Sequence, residues 1–324
     1  MPAASPDAKT VFVLQPRGFC AGVVRAVEAV EEALAQFGAP IYVLKEIVHN
    51  RTVIRGLEER GAIFVPSLDA VPVDARVFFS AHGVAPQMWD AARARGLQVI
   101  DATCPLVSKV HVEARDYIKR GYSLVIIGHR HHDEIIGLLG EVPEGTPVVE
   151  TLEQVEALEF PDPERVAYLT QTTLSLDETA DIIRRLRERF PAVAAPKAQD
   201  ICYATQNRQT ALKLTAPTVD LVLVVGSENS SNSLRLVEVA ENAGVPGYLI
   251  DNADDIRPTW LEGVHRVGLT AGASAPESLV QDVVAALRSR FGFTHVEQTG
   301  EITENVRFIL PEEVLTTKRG TVAG

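Results

Sequence analysis

The chain has few cysteines and no long apolar segment. Three of its 324 residues are cysteine, an odd number, and no two of them are close enough to form a CxxC pair. This excludes a framework in which every cysteine is paired and a metal knuckle built from neighbouring cysteines. Apolar runs such as residues 221–225 are far too short to span a bilayer, and residues 1–9 hold no apolar signal segment. We therefore expect a cytoplasmic protein without membrane association.

Blocks of basic residues are also absent. Lys and Arg total 31 against 43 Asp and Glu, which gives a formal net charge of -12 at pH 7. Because an acidic chain is poorly suited to neutralise a phosphate backbone, we expect no nucleic-acid partner. Neither a GxGxxG fingerprint nor a Walker A lysine motif is present, so the sequence gives no support for nucleotide binding.

Short β-branched runs alternate with longer segments of helical period. The runs interpreted as strands are residues 11–14, 41–44, 77–80, 124–127, 166–170, 221–225, 248–250 and 267–270. Amphipathic segments such as 22–37 and 51–60 lie between them. This alternation is typical of α/β proteins with parallel sheets. The chain length suits two or three small domains.

Each cysteine follows a short extended segment and precedes a helical one. The three contexts are Phe19-Cys20-Ala21, Thr103-Cys104-Pro105 and Ile201-Cys202-Tyr203. We interpret the chain as three related α/β domains, residues 11–105, 106–200 and 201–290, followed by a segment, 291–324, that packs across the domains and is frayed at its end. Ligands of parallel α/β sheets bind at the carboxyl ends of strands, so a pseudo-threefold arrangement with the cysteines at its centre is the simplest geometry.

The position of the cysteines at helix starts favours metal binding. A helix dipole stabilises thiolate, the form of cysteine that binds metal, and three thiolates suit a soft metal. One alternative is zinc with a fourth ligand, and another is an iron–sulfur cluster in which one iron lacks a protein ligand. Such an open iron is a Lewis acid for a substrate. Three buried structural cysteines are the third possibility, and the spacing does not decide among them.

Two loops rich in hydroxyl side chains follow predicted strands of the third domain. The first, SENSSNS at residues 227–233, contains Ser230, Ser231 and Asn232, and the second, TAGAS at residues 270–274, ends in Ser274. Each loop precedes a helical segment, and helix N-termini bind anions through their unpaired N–H groups. We interpret the loops as a phosphate site, with ordinary helix capping as the alternative.

Three histidines end or follow strands of the first two domains. They are His49, His82 and His132. Imidazoles can hold a diphosphate by hydrogen bonds and charge, although a single such histidine is more often structural. Glu134 lies two residues after His132 and is a candidate proton carrier, with Thr172 or Thr173 as its relay.

Eight motifs in a fixed order carry a family resemblance. They are PRGFCAG (16–22), EIVHN (46–50), SAHG (80–83), DATCP (101–105), TQTT (170–173), DICYAT (200–205), GSENSSNS (226–233) and TAGASAP (270–276). Together they resemble the hydroxymethylbutenyl diphosphate reductase family of the non-mevalonate isoprenoid pathway, from about residue 11 to residue 315.

The resemblance implies a trefoil of three α/β domains around one 4Fe-4S cluster. It implies that Cys20, Cys104 and Cys202 hold the cluster and that one open iron receives the substrate hydroxyl. The residues that it places around the diphosphate are His49, His82, His132, Ser230, Ser231, Asn232 and Ser274. It also implies that Thr172 contacts the reacting end of the substrate and that Glu134 delivers the proton.

The implied reaction is the reductive dehydroxylation of (E)-4-hydroxy-3-methylbut-2-enyl diphosphate to isopentenyl diphosphate and dimethylallyl diphosphate. An external one-electron donor such as ferredoxin or flavodoxin would supply two electrons singly. A second interpretation is a non-redox iron–sulfur lyase acting on an allylic diphosphate, because an open iron also catalyses dehydration. A third is a non-enzymatic zinc protein.

The sequence departs from the family pattern at one position. The family loop reads GHxxHPE, whereas Asp133 here replaces the proline. Proline restricts the backbone of the residue before it, and aspartate adds a charge beside the bound diphosphate. We therefore expect a less stiff loop and altered proton delivery by Glu134.

Overall fold

The computed structural model describes residues 8–315, in which strands and helices alternate. The strands are β1 (Thr10–Leu14), β2 (Ile41–Leu44), β3 (Ala62–Val65), β4 (Arg76–Phe79), β5 (Gln98–Asp101), β6 (Ser123–Ile127), β7 (Val148–Val149), β8 (Val166–Thr170), β9 (Leu221–Val225), β10 (Gly247–Ile250), β11 (Arg266–Ala271) and β12 (His295–Thr299). The helices are α1 (Ala21–Phe37), α2 (Arg51–Glu59), α3 (Pro86–Ala94), α4 (Pro105–Lys119), α5 (Asp133–Leu139), α6 (Leu152–Glu156), α7 (Leu176–Arg189), α8 (Tyr203–Thr215), α9 (Ser231–Asn242) and α10 (Glu277–Phe291). The α/β class predicted from the sequence is confirmed. The frayed end expected at residues 316–324 lies outside the described residues.

The described chain divides into two compact units. The first contains the described residues up to Cys20 together with His49–Val53 and Tyr203–Val306. The second contains Ala21–Val48, Ile54–Cys202 and the described residues from Arg307 onward. The division into three domains stays a prediction.

The first unit is built on one parallel sheet with the strand order β10-β9-β11-β1-β12. All five residues of β9 are buried, because helices cover both faces of a parallel sheet. Leu223 of β9 packs with Val280 and Val283 of α10 on one face. On the other face Val224 packs with Leu212 of α8 and with residues of α9. The first strand of the chain is thus paired with strands from its last third.

The second unit contains two further parallel sheets, β3-β2-β4-β5 and β7-β6-β8. In the first, Val77 and Phe79 of β4 pack into a core that includes Ala92 of α3. In the second, the apolar residues of β6 and β8 pack against α4 and α5 on one face and α7 on the other. Loops at the carboxyl ends of β4, β6 and β8 carry the motifs around His82, His132 and Thr172.

Side chains of α1 hold the C-terminal segment by hydrogen bonds to its backbone carbonyls. The amide of Gln36 donates to the carbonyl of Val314 (2.8 Å), and the guanidinium of Arg25 donates to the carbonyl of Ile309 (2.8 Å). Both contacts lie within the second unit. Over residues 8–315, no helix combines the length and apolar character that a membrane span requires.

Candidate active site

Each cysteine lies immediately before a helix, as the sequence predicts. Helix α1 begins one residue after Cys20, Cys104 is the N-cap of α4, and α8 begins one residue after Cys202. All three cysteines are partly exposed. A helix N-terminus favours the thiolate form, so each position suits a metal ligand.

The backbone around the three cysteines follows one repeated pattern. The amide of Cys20 donates to the carbonyl of Ala273 (3.1 Å), that of Cys104 to Ala81 (3.0 Å), and that of Cys202 to Thr172 (3.0 Å). Each acceptor lies two residues past the end of a strand, which is β11, β4 or β8 respectively. The sequence repeat therefore corresponds to a repeated local geometry in which a strand-end carbonyl holds each cysteine amide.

The two hydroxyl-rich loops of the first unit come together at the start of α9. The hydroxyl of Ser230, the N-cap, accepts the N–H of Ser233 (3.4 Å) and the hydroxyl of Ser233 (2.9 Å). It also lies 3.4 Å from the hydroxyl of Ser274. Ser231 and Asn232 begin the helix, and all of these side chains are buried. Such a cluster of hydroxyls and helix N–H groups can donate several hydrogen bonds to an anion.

Two glycines make room for this cluster. A Cβ atom at Gly226 would lie 2.2 Å from the hydroxyl oxygen of Ser233, and one at Gly272 would lie 2.0 Å from it. A larger residue at either position would therefore displace the Ser233 hydroxyl from the cluster, because real Cβ atoms do not approach an oxygen so closely. The amide oxygen of Asn232 also accepts the N–H of Ala273 (2.9 Å), which fixes the second loop against the first.

His49 is attached to the same cluster. Its carbonyl accepts the hydroxyl of Ser274 (2.9 Å), and its Nδ1 lies 3.4 Å from the amide nitrogen of Asn229. The structure thus brings His49 together with four residues predicted for the diphosphate site, Ser230, Ser231, Asn232 and Ser274, within the first unit.

Glu134 and Thr172 form a buried pair in the second unit. The N–H of Thr172 donates to Oε1 of Glu134 (2.7 Å), and its hydroxyl donates to Oε2 (2.8 Å). Glu134 is only 3% exposed although it lies in the first turn of α5, where an acid would ordinarily be solvated. Both predicted catalytic residues therefore meet through two hydrogen bonds.

Burial raises the pKa of the Glu134 carboxyl. Loss of solvation raises its pKa from 4.5 to about 7, against the lowering effect of the two hydrogen bonds from Thr172, and the charge of Asp200 raises it further. A group with a pKa near neutrality holds a proton that it can transfer at physiological pH. The arrangement suits a proton donor.

The raised pKa predicts a pH-dependent loss of stability. The folded state binds this proton more tightly than the unfolded chain, so the contribution of Glu134 to the free energy of unfolding is complete below pH 4.5 and is lost as the pH rises to about 7. The loss should be about 3 kcal/mol. We expect it in wild type relative to Glu134→Gln, whose amide does not titrate. Denaturant midpoints of both proteins across this range measure the difference, and parallel profiles would contradict the raised pKa.

Two histidines of the second unit lie beside this pair. The rings of His82 and His132 meet edge to face with centroids 5.9 Å apart. The Nδ1 atom of His132 accepts the N–H of Glu134 (3.2 Å), so in the neutral ring the proton is on Nε2. The Nδ1 atom of His82 lies 3.1 Å from the hydroxyl of Ser80. The structure thus groups His82 and His132 with Glu134 and Thr172.

Asp133, the departure from the family loop, has a charged partner. Its carboxylate forms an ion pair with the ammonium of Lys45, within the second unit. Lys45 follows β2 with a left-handed backbone (φ 56°). The added charge at Asp133 is thus compensated, while its effect on loop stiffness and proton delivery stays a prediction.

Sequence analysis missed three basic residues that bind the backbone ahead of the cysteines. They are Arg25, Lys109 and Arg208. Each is five or six residues beyond a cysteine on the helix that follows it, and that shared spacing was the available signal. This spacing alone does not indicate a function, because a cation on a helix is ordinarily solvated.

Fold and site together define an α/β protein with parallel sheets, three cysteines at helix starts, a hydroxyl-rich cluster at the start of α9 and a buried acid. A family model described as LytB protein matches residues 11–288. The chain belongs to the LytB family, and the resemblance inferred from the motifs is confirmed. Membership implies an iron–sulfur cofactor.

Named relatives cover nearly the whole chain. The 4-hydroxy-3-methylbut-2-enyl diphosphate reductase of Ralstonia nicotianae is 55% identical over 310 residues, which are 96% of this chain and 95% of that protein. The enzyme of the same name from Nocardia farcinica is 52% identical over 313 residues, 96% of this chain and 93% of that protein.

Solved structures agree with this relation. The E-1-hydroxy-2-methyl-but-2-enyl-4-diphosphate reductase of Plasmodium falciparum matches with a TM-score of 0.94 at 40% identity, over 97% of this chain and 99% of that one. A structure described as (E)-4-hydroxy-3-methyl-but-2-enyl diphosphate reductase, the terminal enzyme of the non-mevalonate pathway, matches with a TM-score of 0.61 at 34% identity, over 86% of this chain and 99% of that one.

Proposed function

We propose that this chain reductively removes the hydroxyl of (E)-4-hydroxy-3-methylbut-2-enyl diphosphate, as the last step of the non-mevalonate isoprenoid pathway. Two electrons and two protons convert the substrate to isopentenyl or dimethylallyl diphosphate and water. Within a chain related to reductases over nearly its whole length, the observation that carries the proposal is the buried Glu134–Thr172 pair. It provides a protonatable acid at neutral pH, which this reaction requires.

We assign the cofactor as one 4Fe-4S cluster held by Cys20, Cys104 and Cys202, with one iron lacking a protein ligand. Three partly exposed thiols at helix starts are a soft donor set of the kind that iron–sulfur clusters use. Their strand-end carbonyl contacts support equivalent roles for all three. When bound, the cluster would supply single electrons and a Lewis-acid iron for the substrate hydroxyl.

The diphosphate is assigned to the hydroxyl-rich cluster and the histidines. Ser230, Ser231, Asn232 and Ser274 offer hydroxyl, amide and helix N–H donors, which supports binding of phosphate oxygens. The histidines assigned to the same group are His49, His82 and His132. The proton on Nε2 of His132 leaves that ring a donor even when it is neutral.

Glu134 is assigned as the proton donor and Thr172 as its partner at the reacting end of the substrate. The hydroxyl of Thr172 donates to the carboxylate, so it can reorient towards a substrate oxygen once Glu134 carries a proton. The buried position of Glu134 excludes bulk water from this exchange. We also propose that an external one-electron carrier such as ferredoxin or flavodoxin donates the electrons. The reaction would take place in the cytoplasm.

The test is anaerobic purification followed by iron and sulfide analysis, a visible spectrum, and addition of hydroxymethylbutenyl diphosphate with reduced methyl viologen. Oxidation of viologen that depends on substrate is the expected result. A cluster without electron consumption would instead identify the non-redox lyase. Zinc without a cluster, in protein made with adequate iron, would overturn the cofactor assignment.

A further inference from the structure

Three basic side chains occupy equivalent places relative to the cysteines. Arg25 lies on α1, five residues after Cys20. Lys109 lies on α4, five residues after Cys104, and Arg208 lies on α8, six residues after Cys202. Each of these helices thus carries a cation about one and a half turns beyond its cysteine. The function proposed above uses none of the three.

Arg25 holds the segment before the second cysteine. Its guanidinium donates to the carbonyl of Thr103 (3.1 Å) and to that of Asp101 (3.3 Å). Thr103 directly precedes Cys104, whose own amide is held by the carbonyl of Ala81. The last residues before Cys104 are therefore fixed from two sides within the second unit.

Lys109 holds the segment before the third cysteine. Its ammonium donates to the carbonyl of Ala198 (2.7 Å) and to the carboxylate of Asp200 (2.7 Å), whose side chain is completely buried. The other carboxylate oxygen of Asp200 accepts the N–H of Thr170 (2.9 Å) at the end of β8. The segment that leads to Cys202 is thereby joined both to α4 and to β8.

Arg208 holds the segment before the first cysteine, within the first unit. Its guanidinium donates to the carbonyl of Gly18 (2.7 Å), which has a left-handed backbone (φ 67°) and lies two residues before Cys20. It also donates to Glu304 (3.0 Å) and to the carbonyl of Ala204 (2.9 Å). The Arg208 side chain is fully buried, and the carboxylate of Glu304 balances its charge.

The three sets of contacts follow a cyclic pattern, in which the helix after one cysteine holds the segment before the next. The helix after Cys20 holds the segment before Cys104, the helix after Cys104 holds the segment before Cys202, and the helix after Cys202 holds the segment before Cys20. Charge-assisted hydrogen bonds are stronger and more directional than neutral ones. Each cysteine segment is therefore fixed by a helix that belongs to a different cysteine.

We propose that Arg25, Lys109 and Arg208 are positioning residues that preorganise the three cysteine segments for the iron–sulfur cluster. The inference rests on the proposed function for the identity of the cluster. The contacts themselves do not depend on it. Without these cations the backbone carbonyls ahead of each cysteine lose their donors, and the segments open more often.

Hydrogen exchange measured by mass spectrometry on the anaerobic, cluster-loaded full chain tests this. In Arg25→Met the amides of Thr103 and Cys104 should exchange about ten-fold faster than in wild type. In Lys109→Met the faster exchange should appear at Cys202, not in the Thr103–Cys104 segment that directly precedes the altered helix. The displacement of the effect to another cysteine is what distinguishes positioning from local damage to a helix.

Arg115→Met is the matched control. Arg115 lies on the same helix as Lys109, but its guanidinium pairs with the carboxylate of Glu141 (2.7 Å) and not with a cysteine segment. Exchange at the three cysteines should stay at its wild-type rate in this variant. Lys109→Arg keeps the charge and should restore slow exchange at Cys202.

The cluster provides a second readout that simple loosening would not give. Removal of a cation near a negatively charged cluster lowers its midpoint potential. We expect lower potentials in Arg25→Met and Lys109→Met, a wild-type value in Arg115→Met, and recovery in Lys109→Arg. An optical redox titration of the loaded proteins measures all four.

Unchanged exchange at the next cysteine, or an equal increase at all three cysteines, would overturn the proposal. Arg208 is fully buried, so Arg208→Met tests folding as much as positioning. The variants of Arg25 and Lys109, whose side chains are partly exposed, therefore decide the question. The viologen assay reports separately on the proposed reaction, so its failure with intact exchange patterns would leave the positioning role standing.

Discussion

Replacing Glu134 with glutamine should lower kcat by at least about 100-fold while the iron content and the affinity for substrate stay close to wild type. Glutamine has the shape of glutamate and can keep a hydrogen bond with Thr172, but it carries no transferable proton. The iron and sulfide content, the dissociation constant of hydroxymethylbutenyl diphosphate and viologen-coupled turnover are the measurements. Full activity in this variant would remove the proton role of Glu134.

Glu141→Gln is the control for this prediction. Glu141 is another largely buried carboxylate of the second unit, but its partners are His111 (3.1 Å) and Arg115 (2.7 Å), and neither belongs to the assigned site. If loss of a buried negative charge were sufficient to stop turnover, both variants would fail alike. We expect Glu141→Gln to retain kcat within about a few-fold of wild type, because the partners of Glu141 lie outside the assigned site and it holds no proton for the reaction.

Replacing Cys104 with serine should reduce cluster occupancy about ten-fold or more. Loss of a residue that only hydrogen-bonds to a metal ligand commonly lowers metal affinity by about 10- to 100-fold, so loss of a ligand itself should cost at least as much. A serine hydroxyl is also a harder and less acidic donor than a thiol. Serine has nearly the same volume as cysteine. The hydrogen bond from the N–H of residue 104 to the carbonyl of Ala81 does not involve the side chain, so the substitution keeps it. Iron, sulfide and the visible spectrum of anaerobically purified protein measure the occupancy.

Ser108→Ala is the matched change for this variant. Ser108 lies one turn after Cys104 on α4, so Ser108→Ala removes a hydroxyl near the helix start and keeps both the thiol and the hydrogen bond from the Ser108 N–H to the carbonyl of Cys104 (2.9 Å). It should bind the cluster as wild type does. An unchanged iron and sulfide content in Cys104→Ser would remove that residue from the assigned ligands, while a loss in both variants would point to damage of α4.

The sequence predicted where the cysteines and the hydroxyl-rich loops lie in the fold, because the signals for both are local. The cysteines lie at helix starts as predicted, since the apolar periodicity that begins at Ala21, Pro105 and Tyr203 marks each helix. The hydroxyl-rich loops follow β9 and β11 as predicted, because the strands before them are short apolar runs. In both cases the information lies within about ten residues of the position concerned.

The sequence did not predict the properties that depend on distant neighbours. Sequence analysis singled out Glu134 as a candidate proton carrier, but nothing in its segment showed that enclosure beside Thr172 raises its pKa to about 7. The contact between Lys109 and Asp200 joins residues that are far apart in the chain and have no sequence feature in common. Neither could be inferred from periodicity or composition, which describe one segment at a time.

By itself, the sequence determined the α/β class, the helix starts at the cysteines and, through its ordered motifs, the family. These follow from alternation of short apolar runs with amphipathic segments and from residue types fixed at short spacings. The tertiary structure alone decided that β1 pairs with β11 and β12, which carbonyl holds each cysteine amide, and that burial raises the pKa of Glu134 to about 7. Strand partners, long-range hydrogen bonds and desolvation are set by residues distant in sequence, and they exist only once the chain is packed.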